Sequence, residues 1–202
     1  MATSQHATDY DAVPAGPIED FLGRTEGMTS LEEAKLLYDL AREVRSGCIV
    51  EVGAYRGRST VALGRGSLDG HRVPVFTIEP HQIFSGVLGG SFGPADAGAF
   101  YRAILDTGCY HVVRLVSLSS EQIVQCWRLP VELLWIDGDH RYEGVRRDFE
   151  SWLPHLNPGA TVVFDDAADP SIGPHRLIGE IIGTGEYEKV SEFGKMTVLR
   201  RH

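Results

Sequence analysis

The sequence predicts an α/β fold: a three-layer sandwich with a seven-stranded, mostly parallel sheet and an antiparallel C-terminal hairpin. Three observations carry this. Short apolar runs rich in β-branched and aromatic residues alternate with segments of helical period, which is the pattern of strand–helix–strand units. Four of the five runs stop at glycine or an acidic residue: Gly53, Glu79, Asp137 and Asp165. Near the C-terminus the alternation ends, and Tyr187 to Phe193 and Lys195 to Arg200 form two strand-like runs around Gly194.

The elements follow in order. Met1 to Ala15 is polar, has no signal-peptide apolar segment and reads as a tail. Residues 1–29 are expected to be this tail and a short helical extension, and residues 30–202 one domain. Ser30 with Glu33 has capping-box spacing, and Leu31, Ala34, Leu37, Tyr38 and Ala41 share one helical face up to Gly47. Cys48 to Val52 is the first strand, and a helix begins over Ser59 to Gly66. Val73 to Ile78 and Tyr110 to Val116 are the second and third strands. Val131 to Ile136 and Ala160 to Phe164 are the fourth and fifth, separated by a helix over His140 to Leu153 that stops near Pro154. Residues 80–98 carry five glycines and two prolines, so they read either as a lid over the ligand edge or as a tolerated insertion.

The chain has 202 residues with 19 Lys+Arg against 28 Asp+Glu, a formal net charge of −9. That sign argues against nucleic acid or an anionic membrane as partner. No apolar stretch reaches the ~20 residues of a membrane span. Cys48, Cys109 and Cys126 are too scattered for a disulfide framework or a zinc site. These features suit a cytoplasmic enzyme acting on a small molecule or oligosaccharide, with a homodimer as the expected assembly.

Two strand ends carry the chemistry. The fourth run stops at Asp137-Gly138-Asp139-His140 and the fifth at Asp165-Asp166. In an open α/β sheet, ligands bind outside the carboxyl ends of the strands. Carboxylates gathered there without a cation would repel one another, which favours a divalent metal held by Asp137, Asp165 and Asp166. An all-oxygen set favours Mg²⁺, with Mn²⁺ possible. His140 lies three residues after Asp137, and an imidazole, with its ordinary pKa of about 6.5, suits a general base near neutrality. Each residue also has a plainer reading: Asp137 as a turn residue, Asp139 as a helix cap, His140 as a surface histidine, and Asp165-Asp166 as a solvated pair.

The first strand leads into Glu51-Val52-Gly53-Ala54-Tyr55-Arg56-Gly57-Arg58-Ser59-Thr60. Gly53 permits a sharp turn and close ligand approach, Gly57 a tight helix start, and Ser59 and Thr60 supply hydroxyls. The spacing differs from the G-x-G-x-x-G of dinucleotide sites. With Glu51 just before the turn, it suits a cationic, non-phosphorylated ligand, and Glu79 at the second strand's end can accept from ribose hydroxyls. Tyr55, Arg56, His81 and His175 are weaker candidates for the cleft. Arg141, Arg146 and Arg147 read as a solvated helix face.

The run from Glu51 to Thr60 resembles the first motif of class I S-adenosylmethionine-dependent methyltransferases, which implies a Rossmann-like fold. Glu79 matches that family's ribose-binding acid, and Ser117 and Ser119 lie where the family contacts adenine. Trp135 to Val145, and Asn157-Pro158-Gly159-Ala160 running into Phe164-Asp165-Asp166, resemble the small metal-dependent O-methyltransferases related to macrolide-sugar and cephamycin-pathway enzymes. The resemblance implies that Asp137 and the pair Asp165-Asp166 hold magnesium and that His140 is the base. Relatives often have Glu-Asp where this chain has Asp165-Asp166. A nicotinamide-dependent oxidoreductase and a non-catalytic binding module remain as alternatives, since fold alone does not choose between them.

Overall fold

The computed structural model describes residues 12–202; the reading of a polar tail falls, for residues 1–11, outside them. Helix α1 (Ile18–Arg24) is the expected short extension, and α2 (Leu31–Glu43) follows. The Ser30 hydroxyl accepts from the Glu33 amide at 3.2 Å and the Glu33 carboxylate accepts from the Ser30 amide at 3.0 Å, so the capping box forms. Strand β1 (Cys48–Val52), helix α3 (Arg58–Asp69) and β2 (Val75–Ile78) come next. β2 starts two residues later than expected, after Pro74, which has no N–H to donate to a ladder.

Residues 80–98 fold into a small antiparallel hairpin, β3 (Phe84–Ser85) with β4 (Ser91–Phe92), and a short turn of 3-10 helix. Helix α4 (Ala97–Asp106) then leads to β5 (Val113–Val116). The short α5 (Ser120–Ile123) precedes β6 (Val131–Ile136), and α6 (Tyr142–Trp152) precedes β7 (Leu156–Phe164). Helix α7 (Gly173–Gly183) leads to the terminal strands β8 (Tyr187–Phe193) and β9 (Met196–Arg201).

The main sheet has seven strands in the order β5-β2-β1-β6-β7-β9-β8. All neighbours from β5 to β7 pair in parallel, and β9 runs antiparallel to both β7 and β8. Alternation along each strand divides the core. Ile49, Leu133, Trp135, Val163 and Val198 face one side with Leu22, Leu37, Leu63 and Phe100. Val50, Leu134, Ile136, Phe164 and Leu199 face the other with Val145, Phe149, Trp152 and Leu177. A sheet buried on both faces needs near-continuous apolar strands, which is why these runs are mostly apolar, with Glu51 the charged residue buried in β1. Among the described residues no helix is long and apolar enough to cross a membrane.

Candidate active site

Sheet order reverses between β1 and β6, and the ladder continues one residue beyond several strands. The Gly53 amide donates to the Ile78 carbonyl at 3.1 Å, Glu79 to Val116 at 3.0 Å, Asp137 to Val52 at 2.8 Å, and Asp165 to Ile136 at 3.0 Å. Four residues singled out from the sequence are thus delivered by backbone pairing to one edge, at the point where such folds bind ligands. A cavity of about 380 Å³ lies there, and Gly53, Tyr55, Ser59, Glu79, Ser119, Asp137, His140, Asp165 and Asp166 line it.

Gly53 has φ +87°, and a Cβ at this position would sit 2.3 Å from the Asp137 carbonyl oxygen. The cofactor-like turn therefore lies in backbone contact with the loop that carries the acids, and glycine is required on both counts. Gly57 (φ +100°) starts α3 against Phe100 and does not line the cavity.

Glu51 departs from the expectation that it faces a cationic ligand. Its side chain is wholly buried beneath the turn. It accepts hydrogen bonds from Ser59 Oγ (2.6 Å), Thr60 Oγ1 (2.6 Å) and Thr77 Oγ1 (2.9 Å). Burial pushes its carboxyl up to about 7, and the three hydroxyl donors offset this only in part. Thr60 is likewise buried and spends its hydroxyl on Glu51. Glu51 and Thr60 brace the turn from below, and of this trio Ser59 reaches the cavity wall.

Glu79 lines the cavity and accepts from the Ala54 amide (3.1 Å) and the His81 amide (2.6 Å). Each carboxylate oxygen keeps a second lone pair for a ligand hydroxyl. His81 is 9% exposed rather than solvated, and its Nε2 lies 3.1 Å from the Tyr55 carbonyl. Ser119 lines the cavity, while Ser117 is exposed and outside it. Arg56 points away and pairs with Asp96 at 2.8 Å and with Glu26. His175 is exposed, bonds the Ala167 carbonyl and is absent from the lining. Asp139 does not cap α6; it accepts from the Arg141 amide two residues on, an Asx turn.

The acids converge as expected. His140 Nε2 lies 3.3 Å from Asp166 Oδ2, 3.7 Å from Asp137 Oδ1 and 3.9 Å from Asp165 Oδ2. Single donor atoms of Asp137, His140 and Asp165 all lie within 4.8 Å of one another. Burial, followed by the charges of Asp165 and Asp166, raises the Asp137 carboxyl well above the usual carboxylate range. Burial also raises Asp165, which is 2% exposed. Among the described residues Asp165 Oδ1 and His140 Nε2 are buried polar atoms with no hydrogen-bond partner. An unpartnered, buried carboxylate oxygen beside two further carboxylates fits a divalent cation, and the imidazole nitrogen stands within reach of the same point. Asp166 has φ +50°, a strained backbone that Asp tolerates better than most residues.

Several cavity residues escaped the sequence reading. Lys195, in the β8–β9 turn, places Nζ 2.7 Å from Asp165 Oδ2 and 3.2 Å from Asp166 Oδ1. Asp148 on α6 lines the wall, and burial pushes its carboxyl up to about 6. Arg58 donates to the carbonyls of Thr25 (2.9 Å) and Thr29 (2.8 Å), fixing the loop that carries Met28 onto the cavity. The hairpin adds an apolar wall of Ile83, Phe84, Val87, Leu88 and Phe92. Arg141 is not merely a solvated arginine: it donates to the Ser85 carbonyl at 3.1 Å and pairs with Asp139 at 3.2 Å, tying hairpin to acidic loop.

Comparison with known proteins fits this geometry. An O-methyltransferase from Bacillus cereus, solved with S-adenosylhomocysteine, superposes with TM-score 0.67 at 18% identity, covering 96% of this chain and 95% of that one. The O-methyltransferase TomG of tomaymycin synthesis from Streptomyces achromogenes, solved with S-adenosylmethionine, gives 0.66 at 19% over 96% and 93%. The TDP-rhamnose 3'-O-methyltransferase of calicheamicin biosynthesis gives 0.61 at 15% over 91% of each chain. At these identities the likeness establishes the fold. Two curated relatives, both uncharacterized proteins, match short segments. One from Sinorhizobium fredii is 50% identical over 36 residues, and one from Acanthamoeba polyphaga mimivirus is 44% identical over 57. The matches cover 18% and 25% of this chain, and the chain spans only 4% and 26% of those relatives' lengths. A family model described as a methyltransferase domain matches residues 50–167, more than half of the chain, from the middle of β1 to just past the acidic pair. The chain belongs to this family of methyltransferase domains.

Proposed function

We propose that the protein is an S-adenosylmethionine-dependent O-methyltransferase that uses a divalent cation, Mg²⁺ or Mn²⁺, and acts on a hydroxyl of a sugar or oligosaccharide. One observation carries the reading: Gly53 and Glu79 line the same cavity as Asp137, His140, Asp165 and Asp166. When bound, S-adenosylmethionine supplies an electrophilic methyl group, and the divalent ion supplies Lewis acidity that lowers the pKa of a coordinated hydroxyl. Every other part of the work falls to this chain's residues. The Gly53 turn lets the cofactor approach the backbone closely, and Glu79 accepts from the ribose hydroxyls. Asp137, Asp165 and Asp166 would hold the ion, whose Lewis acidity would act on an acceptor hydroxyl at this edge. His140 Nε2 accepts the acceptor's proton.

The hairpin also favours a second reading of the acceptor. Its apolar wall, with Met28 lining the same cavity, suits a secondary metabolite such as a glycosylated antibiotic, whose hydrophobic body would pack there while a hydroxyl reaches the acids. The calicheamicin-pathway neighbour acts on a nucleotide-linked rhamnose by its description, and sugar hydroxyls are the acceptors common to both readings.

Calorimetry with S-adenosylhomocysteine tests the cofactor assignment, and no heat at millimolar ligand would end it. Turnover should then be measured on methylmannose oligosaccharides and on glycosylated, hydrophobic acceptors, with and without chelator. Full activity in chelator would remove the metal and leave the methyltransferase.

A further inference from the structure

Lys195 enters the acidic centre from the far end of the chain, and its placement is held by backbone as well as side chain. Its amide donates to Glu33 Oε1 at 2.9 Å, and its carbonyl accepts from the Ala167 amide at 2.8 Å. Glu33 is the capping-box acid of α2 and is 5% exposed, so the turn rests on a fixed partner. Gly194, with φ +58°, packs so closely that a Cβ would meet Glu33 Oε1 at 2.4 Å. Ala167 directly follows the acidic pair, so this contact sets the turn's height relative to Asp165 and Asp166. The result is an ammonium bridging both carboxylates, 2.7 Å from Asp165 Oδ2 and 3.2 Å from Asp166 Oδ1. The carboxylate oxygen Asp165 Oδ1 and the imidazole Nε2 of His140 are left as buried polar atoms without hydrogen-bond partners.

We propose that Lys195 is a built-in cation of the acidic centre: a positioning residue that holds Asp165 and Asp166 together and competes with the divalent ion for their oxygens. It thereby sets the metal affinity low, so that the ion binds reversibly instead of as a permanent structural element. The inference rests on the metal reading given above. Two like charges sharing one carboxylate pair repel across a few ångströms, and in the lysine's field a dication is repelled twice as strongly as a monocation would be. A lysine ammonium also fills ligand positions on Asp165 and Asp166 that an ion would otherwise take.

Mn²⁺ titration by calorimetry on the full chain, at fixed pH and ionic strength, tests this. Lys195→Met and Lys195→Gln should each bind Mn²⁺ at least about tenfold tighter than wild type, because a unit charge beside the ion is gone. Lys195→Arg keeps the charge and should stay within about threefold of wild type, which a purely structural role for the side chain would not require. S-adenosylhomocysteine affinity, measured on the same samples, reports that each variant is folded. Wild-type Mn²⁺ binding with unchanged or weaker binding in both neutral variants would overturn the role of Lys195 while leaving the metal reading intact. Absence of Mn²⁺ binding in every variant would overturn both.

Discussion

Glu51→Gln isolates the charge of a buried carboxyl at constant shape. In the folded chain this group, wholly enclosed, titrates at about 7 in place of the ordinary 4.5. Its folded value lies above its unfolded one, so the protonated form favours folding. That contribution is complete below the unfolded value and is lost as the pH rises through about 7. Integrating between pH 5 and pH 8 gives a loss of about 2.5 kcal/mol from this residue alone. For a domain of this size that corresponds to a fall in Tm of about 5–10 °C. The glutamine variant carries no charge to bury, and its amide can still partner Ser59, Thr60 and Thr77 after the hydroxyls reorient. Thermal unfolding followed by circular dichroism at both pH values gives the double difference, in which the other titrating acids cancel. The wild type should lose about 5–10 °C more than the variant between the two conditions. Equal pH dependence in the two proteins would show that Glu51 is not an acid whose titration burial raises.

Two further outcomes follow from the site. His140→Ala should slow methyl transfer by about 10²- to 10⁴-fold, the usual worth of a general base, with Mn²⁺ affinity nearly unchanged; loss of Mn²⁺ binding in calorimetry would make His140 a ligand in place of a base. Gly53→Ala places a methyl group against the Asp137 carbonyl and forces a side chain into positive φ. It should cost about 2–5 kcal/mol in denaturant unfolding and weaken S-adenosylhomocysteine binding; wild-type stability would refute the close approach.

The parts legible in the sequence share a physical reason. Strands buried on both faces must be mostly apolar, so Cys48–Val52, Val131–Ile136 and the run Ala160 to Phe164 stand out, and Gly53, Asp137 and Asp165 are found where those runs stop. Helices α4 and α7 were harder, because Ala97-Gly98 and Gly173-Pro174 open them where glycine and proline usually read as loop. Glu51 was legible as an acid but not as an enclosed one. The available signal was its neighbourhood, a charged residue flanked by Val50 and Val52 with two hydroxyl residues eight and nine positions later. Lys195 left no local signal: a lysine after Gly194 looks like any hairpin turn, and only the pairing of β9 with β7 brings it to Asp165.

The site divides into a part that cannot adapt and a part that can. Glu79, Asp137 and Asp165 are each hydrogen-bonded into the parallel ladder, so their spacing is set by the sheet itself. The apolar wall hangs on a hairpin of two paired rows, fastened near its start by Arg141. Exchanging the hairpin's side chains therefore leaves the relative positions of Glu79, Asp137 and Asp165 as the sheet sets them.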